Sequence, residues 1–339
     1  MKNIGMKKHW KRTILWCGMV LLLLVLAVVL LARKHVPTAI TYGLSFNTPY
    51  TQELGLDPRD VYTAVLSELG VRHLRLAAHW TMVEPQNGVF DFSELDFQVA
   101  EAKKYGADII LAVGRRLPRW PECHVPGWAA ELAWDEQKNE IRAYLREVVS
   151  RYKDEPHIIY WQVENEPYLT TFARDHCGQL DEEFFKEEIA LVRERDDTRP
   201  ILVTDGGNFG TWYGAYRAGD VFGTSVYVYF WNPELGQFRT ILPAVTYRIK
   251  ENLMKLLYGA KPTLLIELAL EPWLVETVTD VPIETQLERM NPDKFDEIIE
   301  YAKATRLDRQ YLWGAEWWYW LKTRGHPELW EKGRQLFAQ

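Results

Sequence analysis

The chain has 339 residues, 47% hydrophobic and 26% charged, a composition that excludes a disordered protein and fits an ordered globular one. Its formal charge is −7, and taking away residues 1–35, which hold seven Lys/Arg and no acidic residue, leaves −14. So acidic a remainder excludes nucleic acid and other polyanions as natural partners.

The first 35 residues stand apart. Lys2, Lys7, Lys8, Lys11 and Arg12 precede an uncharged run from Thr13 to Ala32, rich in Leu and Val, which Arg33 and Lys34 close. At about 1.5 Å per residue a helix over this run reaches roughly 30 Å, the thickness of a bilayer core. The basic excess ahead of it predicts a cytoplasmic segment over 1–12, a transmembrane anchor over 13–32 and an exported domain over 36–339. A cleaved signal peptide would have a shorter apolar region and a small-x-small site, and neither feature fits well. Cys17 follows bulky Trp16 and reads as an ordinary membrane residue.

From Ala39 onward, β-rich runs alternate with longer segments of helical period, which implies parallel strands with crossover helices. The runs are Ala39 to Phe46, Val71 to Leu76, Ala107 to Val113, Ile158 to Val163, Ile201 to Thr204, Val221 to Val228, Thr263 to Ile266 and Tyr311 to Ala315. Eight such runs in one undivided domain predict an α/β protein with a (β/α)8 TIM barrel. Among the helices, Ser93 with Asp96 reads as a capping box, and Asn291-Pro292 as a cap followed by a first-turn proline. Phe295, Ile298, Ile299 and Ala302 then form one apolar stripe. Cys123 and Cys177 fall in neighbouring loops after the third and fourth runs, where a bridge is geometrically reasonable and two separate thiols are the alternative.

The fourth run ends abruptly in Asn165-Glu166-Pro167, and the seventh in Glu267. Loops after barrel strands form the rim where such folds keep their sites, so two strands deliver two carboxyls to one place. Glycosidic cleavage needs such a pair, one carboxyl as nucleophile and one as acid/base. Asn165 and Glu166 should face opposite sides of a regular strand, so a bulge or bend is expected there. Glu271 competes with Glu267 for nucleophile but lies past the apolar run, where substrate contact suits it better. Glu164 shares strand parity with Glu166 and lies deeper. No H-x-H, H-E-x-x-H, G-x-S-x-G or phosphate-binding glycine loop occurs, so neither metal nor nucleotide cofactor is expected.

These features resemble the large clan of retaining β-glycoside hydrolases on (β/α)8 barrels, over nearly all of residues 36–339. The likeness lies in Arg75 and Trp80 of Leu-Arg-Leu-Ala-Ala-His-Trp, Glu84-Pro85, Gly88, Asp91-Phe92-Ser93, Leu117-Pro118-Arg119-Trp120, Asn165-Glu166-Pro167, and Tyr227 in Gly-Thr-Ser-Val-Tyr. The resemblance implies that Glu166 is the acid/base, Glu267 the nucleophile and Asn165 a ligand of the sugar 2-hydroxyl. It implies further that Tyr227 hydrogen-bonds the nucleophile, and that Trp317 or Trp318 lies under the bound sugar. Arg75 has an ionic structural role and site duty as equal readings. Trp120, Trp128, Trp231 and Trp273 in rim loops suit stacking on sugar faces, although a buried loop anchor would look the same.

The cellulase-like and mannanase-like family, one of the similar families, usually has His at the end of strand 3 and His two residues before the strand-6 Tyr. Gly114-Arg115-Arg116 and Ser225 stand there instead. Arg115 or Arg116 then suits either an acidic or hydroxyl-rich sugar or a surface salt bridge. The expected activity is that of a membrane-anchored, extracytoplasmic retaining β-glycosidase acting on a β-linked polysaccharide or oligosaccharide, with transglycosylation at the same site as a close variant. A carbohydrate-binding surface protein without turnover, or a structural barrel, would leave the two carboxyls without a purpose.

Overall fold

The computed structural model describes residues 3–33, 35–120, 122–169, 174–178, 180–274 and 276–338. Eight parallel strands close a barrel: β1 (Thr41–Ser45), β2 (His73–Ala77), β3 (Asp108–Val113), β4 (Ile158–Val163), β5 (Ile201–Asp205), β6 (Val221–Val226), β9 (Thr263–Ala269) and β10 (Arg309–Trp313). A two-stranded antiparallel hairpin, β7 (Tyr229–Asn232) with β8 (Gly236–Arg239), is inserted after β6. Closure comes from β1 pairing β10, Thr41 opposite Arg309. The expected barrel is therefore present, and each β-rich run supplies one of its strands.

Two apolar regions build it. Ile110, Leu202, Val221, Leu264, Ile266 and Tyr311 form a small cluster drawn only from strands, which fills the barrel interior. The much larger cluster lies between strands and helices, and includes Phe295, Ile298, Ile299 and Ala302 of the helix Pro292–Thr305. Gly43 makes room for the interior filling, because a Cβ there would meet the Tyr311 ring at 2.6 Å.

Asn291 caps the helix Pro292–Thr305, its side chain accepting from Lys294 N. The other expected cap is corrected. Ser93 is the first residue of its helix, Phe92 occupies the cap position without a side-chain bond, and it is Asp91 that accepts from Ser93 N, at 2.9 Å. An Asx-type bond two residues back satisfies the same orphan donor.

At the N-terminus the backbone is one helix, Asn3–Ala32. Side chains 3–12, 14 and 15 lie outside the described ones, and so do the basic residues of the expected cytoplasmic segment. Among the described residues no helix is long and apolar enough to cross a membrane. The described residues therefore give no support to the predicted span over 13–32. Those apolar side chains, Leu21 to Leu24 among them, are exposed. The end of this helix is tied to the barrel by Asn252, whose Nδ2 donates to Leu31 O at 2.7 Å and Arg33 O at 2.8 Å.

Cys123 and Cys177 are bridged, with Cα atoms 5.4 Å apart, and the bridge closes 54 residues of chain. A loop of that length restricts the unfolded chain by up to roughly 4 kcal/mol. Replacing both cysteines by serine should lower the unfolding free energy by about 2–4 kcal/mol in urea denaturation. An unchanged midpoint would show that the bridge holds nothing in place.

Candidate active site

Three strand ends bring the site together. β4 stops at Val163, and the chain then turns through Glu164 (φ 56°) and Glu166 (φ 45°), both left-handed. Of the expected bulge or bend it is a bend that occurs, and these two turns bring Asn165 and Glu166 to the same rim. Non-glycine residues adopt this backbone at a cost of order 1 kcal/mol or more, which the surrounding bonds must offset. Glu164 does so by accepting from Arg115 N at 2.7 Å and Arg116 N at 2.6 Å, and Glu166 N donates to Thr204 Oγ1 at 2.8 Å.

The bulge lies in β9. Leu265 stands opposite Thr224 and Gln310, yet Glu267 stands opposite Ser225 and Leu268 opposite Leu312, so β9 carries one residue more than either neighbour. That extra residue lets the successive side chains of Ile266 and Glu267 both face inward. Ile266 joins the interior cluster and Glu267 lies above it, in reach of Arg75.

Arg75 on β2 is 1% exposed and uses its guanidinium three ways. Nε donates to Gln162 Oε1 at 2.8 Å, Nη1 to Glu267 Oε1 at 2.7 Å and Nη2 to Asn165 Oδ1 at 2.7 Å. Its structural and site readings are therefore one role. With Oδ1 committed, the Asn165 amide nitrogen is the donor left for a ligand. Tyr227 donates to the other carboxylate oxygen, Glu267 Oε2, at 3.1 Å. Asn208 holds that tyrosine from its own backbone, donating to Tyr227 O at 3.1 Å and accepting from Tyr227 N at 3.2 Å.

The two carboxyls live in unlike surroundings. Glu267 has a cation and a phenol on its two oxygens. Glu166 Oε1 is buried without a hydrogen-bond partner. Burial pushes the Glu166 carboxyl well above the usual carboxylate range, the charges of Glu267 and Glu122 push it further, and a hydrogen bond with Ser225 only partly opposes them. Burial, then the charge of Glu267, likewise holds the Tyr227 phenol well above its usual value, so it stays a donor.

Both carboxyls line a cleft of about 650 Å³, together with Asn165, Tyr227, Trp120, Trp231, Glu271, Trp273 and Trp313. Trp120 is 60% exposed on it. Trp273 packs on Tyr227 with ring centroids 5.5 Å apart. Glu271 pairs with Arg119 Nη1 at 2.9 Å, and Arg119 lies over the Tyr50 ring. Thus Glu271 is a wall residue, held by a cation of its own and away from Arg75.

Several expectations are corrected. Trp317 and Trp318 are wholly buried, donating to Gln286 Oε1 and Leu270 O, and neither lines the cleft. Trp313 does, as the last residue of β10. The strand-end rule that found Glu267 would have found it, had the eighth run been closed two residues earlier. Trp128 is a loop anchor, donating to Glu84 O at 3.0 Å and packing on Trp80. Arg116 is buried against Glu122, and Arg115 donates to Cys177 O and Gln137, so neither faces a ligand in the cleft. Glu122, which sequence reasoning missed, is in the cleft. Among the described residues no group of three or more His, Cys, Asp or Glu side chains is arranged to hold a metal ion.

With this geometry in hand, the comparisons are specific. The family model described as cellulase, glycosyl hydrolase family 5, matches residues 42–238. Mannan endo-1,4-beta-mannosidase 1 of Solanum lycopersicum is 26% identical over 49% of this chain and 49% of its own length. Beta-galactosidase BgaH of Haloferax lucentense is 25% identical over 39% of this chain and 23% of its own. The chain thus spans about half or less of these curated relatives. Among solved structures, a GH5_18 protein from Bifidobacterium longum superposes with a TM-score of 0.57 at 17% identity, covering 81% of this chain and 70% of that one. A GH5_18 protein from Streptomyces cattleya, crystallised with Manb1-4GlcNAc, gives 0.53 at 16% over the same shares. At such identities the structural likeness speaks for the fold alone.

The raised Glu166 carboxyl has a consequence for stability. Below the unfolded carboxyl's ordinary value near 4.3 both states carry the proton, and no penalty exists. As pH rises from there toward the higher folded value, only the unfolded chain ionises, and folding loses roughly 1.4 kcal/mol per pH unit from this group. Glu166→Gln removes the titration. The variant should match the parent's melting temperature near pH 4 and exceed it increasingly toward neutral pH in calorimetry, whereas a constant difference across pH would contradict the assignment.

Proposed function

Because the chain belongs to the cellulase family, glycosyl hydrolase family 5, we propose that it is a β-glycoside hydrolase working by double displacement with retention of configuration. The observation that carries this reading is the asymmetry of the two cleft carboxyls, Glu267 held through both oxygens by Arg75 and Tyr227, and Glu166 with no cation on it and its Oε1 buried without a hydrogen-bond partner. The family match ends before Glu267, so the nucleophile rests on geometry.

In the first step a Glu267 oxygen attacks the anomeric carbon while Glu166 gives its proton to the leaving glycosidic oxygen. The products are a glycosyl ester on Glu267 and a free alcohol. Esterification removes the negative charge of Glu267, so Glu166 is left ionised and easier to keep so. In the second step Glu166 takes a proton from water, whose oxygen displaces the sugar from Glu267 and restores both groups. An acceptor sugar in place of that water would give transglycosylation. Asn165 offers its amide to the sugar 2-hydroxyl, a contact that strengthens as the transition state forms. Trp313, Trp120, Trp231 and Trp273 offer flat apolar faces for sugar rings.

The substrate class is a β-linked polysaccharide or oligosaccharide, and the names of the relatives make β-mannans and β-galactosides the first to try. We infer an extracytoplasmic, membrane-tethered setting from the Cys123–Cys177 bridge, typical of oxidising compartments, and from the basic residues ahead of the apolar run 13–32.

The test is intact mass of the full chain after incubation with 2-deoxy-2-fluoro-β-glycosyl fluorides of the gluco, manno and galacto series. One adduct, mapped to Glu267 and absent in Glu267→Ala, is expected. On the sugar that reacts, Glu166→Ala should lower turnover by about 10²–10⁴-fold. An adduct on Glu271 would overturn the nucleophile, and turnover unimpaired by either substitution would overturn the mechanism.

A further inference from the structure

One ion pair lies across the barrel mouth. Arg119, on the loop after β3, meets Glu271, on the loop after β9, with Nη1 and Oε1 2.9 Å apart. Three strands separate β3 from β9 whichever way round the barrel is followed, so the pair joins opposite edges of the rim. The same guanidinium lies over the Tyr50 ring and 5.2 Å from the centroid of Trp313. Tyr50 follows β1 and Trp313 ends β10, so the pair closes the part of the rim formed by β2, β1 and β10.

Both loops are held in place. Arg119 adopts a left-handed backbone (φ 90°), which a non-glycine residue does only where neighbours impose it, and Glu122 N donates to Arg119 O at 2.7 Å. Asn47 fastens the loops after β1, β3 and β10 to one another: Nδ2 donates to Pro118 O at 3.2 Å, Oδ1 accepts from Tyr50 N at 2.9 Å, and its own N donates to Glu316 Oε1 at 2.6 Å. Gly314 (φ 120°) lets the Glu271 loop lie close, since a Cβ there would meet Leu270 O at 3.0 Å and Glu271 Cβ at 3.1 Å. Two polar atoms at this end are left over. Tyr50 OH and Glu271 Oε2 are buried, their residues line the cleft, and neither completes a hydrogen bond. Burial raises the Glu271 carboxyl, while Arg119 and the nearby Tyr50 hydroxyl oppose the rise. Burial also holds the Tyr50 phenol well above its usual value, so it keeps its proton. A sugar hydroxyl, donor and acceptor at once, is the kind of group that would satisfy both atoms.

We propose that the Arg119–Glu271 pair, with Tyr50, is the end wall of the sugar cleft, so that the protein takes the non-reducing terminal sugar of a chain and removes sugars singly from that end. The proposal rests on the hydrolase reading for the cleavage itself and on the ion pair for its direction. The sugar attacked at its anomeric carbon lies against Glu267. Glu267 shares its strand and the following loop with Glu271, and Trp313 stands opposite Ala269, two residues further on. The leaving oxygen lies against Glu166, whose partners are Thr204 on β5 and Ser225 on β6. On that side the cleft continues past Phe209, Phe230 and Trp231. The rest of the substrate therefore leaves over β5 and β6, and the hydroxyls at the far edge of the terminal sugar meet Tyr50 and Glu271. A second sugar on that edge would need the space that Arg119 and Glu271 fill.

The experiment compares labelling rates, by intact mass of the full chain, for 2-deoxy-2-fluoro-β-glycosyl fluorides of one sugar and of two β-1,4-linked sugars in the gluco, manno and galacto series. In the series that reacts, the one-sugar reagent should label about 10²-fold faster or more, because the added sugar meets the wall. Replacing both partners together, Arg119→Ala with Glu271→Ala, leaves no unpaired buried charge and should narrow the ratio to within about tenfold. Labelling of the unmutated protein by the two-sugar reagent at an equal or greater rate overturns the proposal, and that measurement needs no variant to fold. Failure of every reagent to label would count against the hydrolase reading alone, because binding decides the wall without turnover. In tryptophan-fluorescence titrations with β-1,4-linked trisaccharides of the three series, O-methylation of the terminal 4-hydroxyl should weaken binding by about tenfold or more. Equal affinity for the capped and uncapped sugars, or none for either, overturns the end wall.

Discussion

A guanidinium with almost no access to water must spend its donors on the protein, and Arg75 spends them on three side chains from two other strands and the turn after one of them. Gln162 belongs to β4, Asn165 to the turn that follows it, and Glu267 to the bulged part of β9. Lysine could neutralise Glu267 but could not reach three planar acceptors at once from one fixed fork. Removing the cation would leave Glu267 charged and buried without its counterion, a situation that destabilises proteins by several kcal/mol. The barrel interior is thus not only filled by Ile110, Leu202, Ile266 and Tyr311. It is also tied, at its upper end, by the group that makes the site's electrostatics.

That one cation creates the difference between two glutamates of the same type. Arg75 takes Glu267 Oε1, Tyr227 takes Oε2, and Asn165 is turned so that its oxygen also faces the arginine. Glu166 sits in the same cleft with no cation on it, and burial and its like-charged neighbours push its carboxyl well above the usual carboxylate range. The two carboxyls are therefore told apart by their surroundings and not by residue type. The loops continue the same logic. Glu164, adjacent in sequence to the site, is used wholly for structure, its carboxylate receiving the backbone N–H groups of Arg115 and Arg116. Ser225 accepts from Gly207 N at 3.1 Å and hydrogen-bonds Glu166. Gly207 is required for that approach, because a Cβ would meet Ser225 O at 1.8 Å.

Family membership and site geometry divide the work of identification. The family match covers β1 to the β7–β8 hairpin, including Asn165 and Glu166, whereas β9 and β10 lie beyond it. It also shows that Gly114-Arg115-Arg116 and Ser225 lie within the family's tolerance. The hairpin and the loop after β9 place Phe230 and Trp273 beside Tyr227, giving this cleft an aromatic wall on the nucleophile side.

Much of this was legible in the sequence, for a physical reason. Alternation of β-rich runs with helical periods follows from local backbone preference and from which faces must be buried, so eight strands, one barrel and strand-end residues such as Glu166 and Glu267 could be read directly. Asn291 as a cap and the stripe from Phe295 to Ala302 are equally local. What the sequence could not determine depends on register and on chain reversals between distant segments. The extra residue in β9 is visible only against Thr224 and Gln310, which lie 41 and 45 residues from Leu265, and the left-handed turns at Glu164 and Glu166 exist because partners on other loops hold them. Trp317 and Trp318 follow the eighth run closely in sequence, yet packing buries them against Gln286 and Leu270 O, and Trp313 is the one that reaches the cleft. Glu122 carried no local mark at all, since its place in the cleft is decided by an ion pair, a left-handed backbone and a bridge closed across the neighbouring loop.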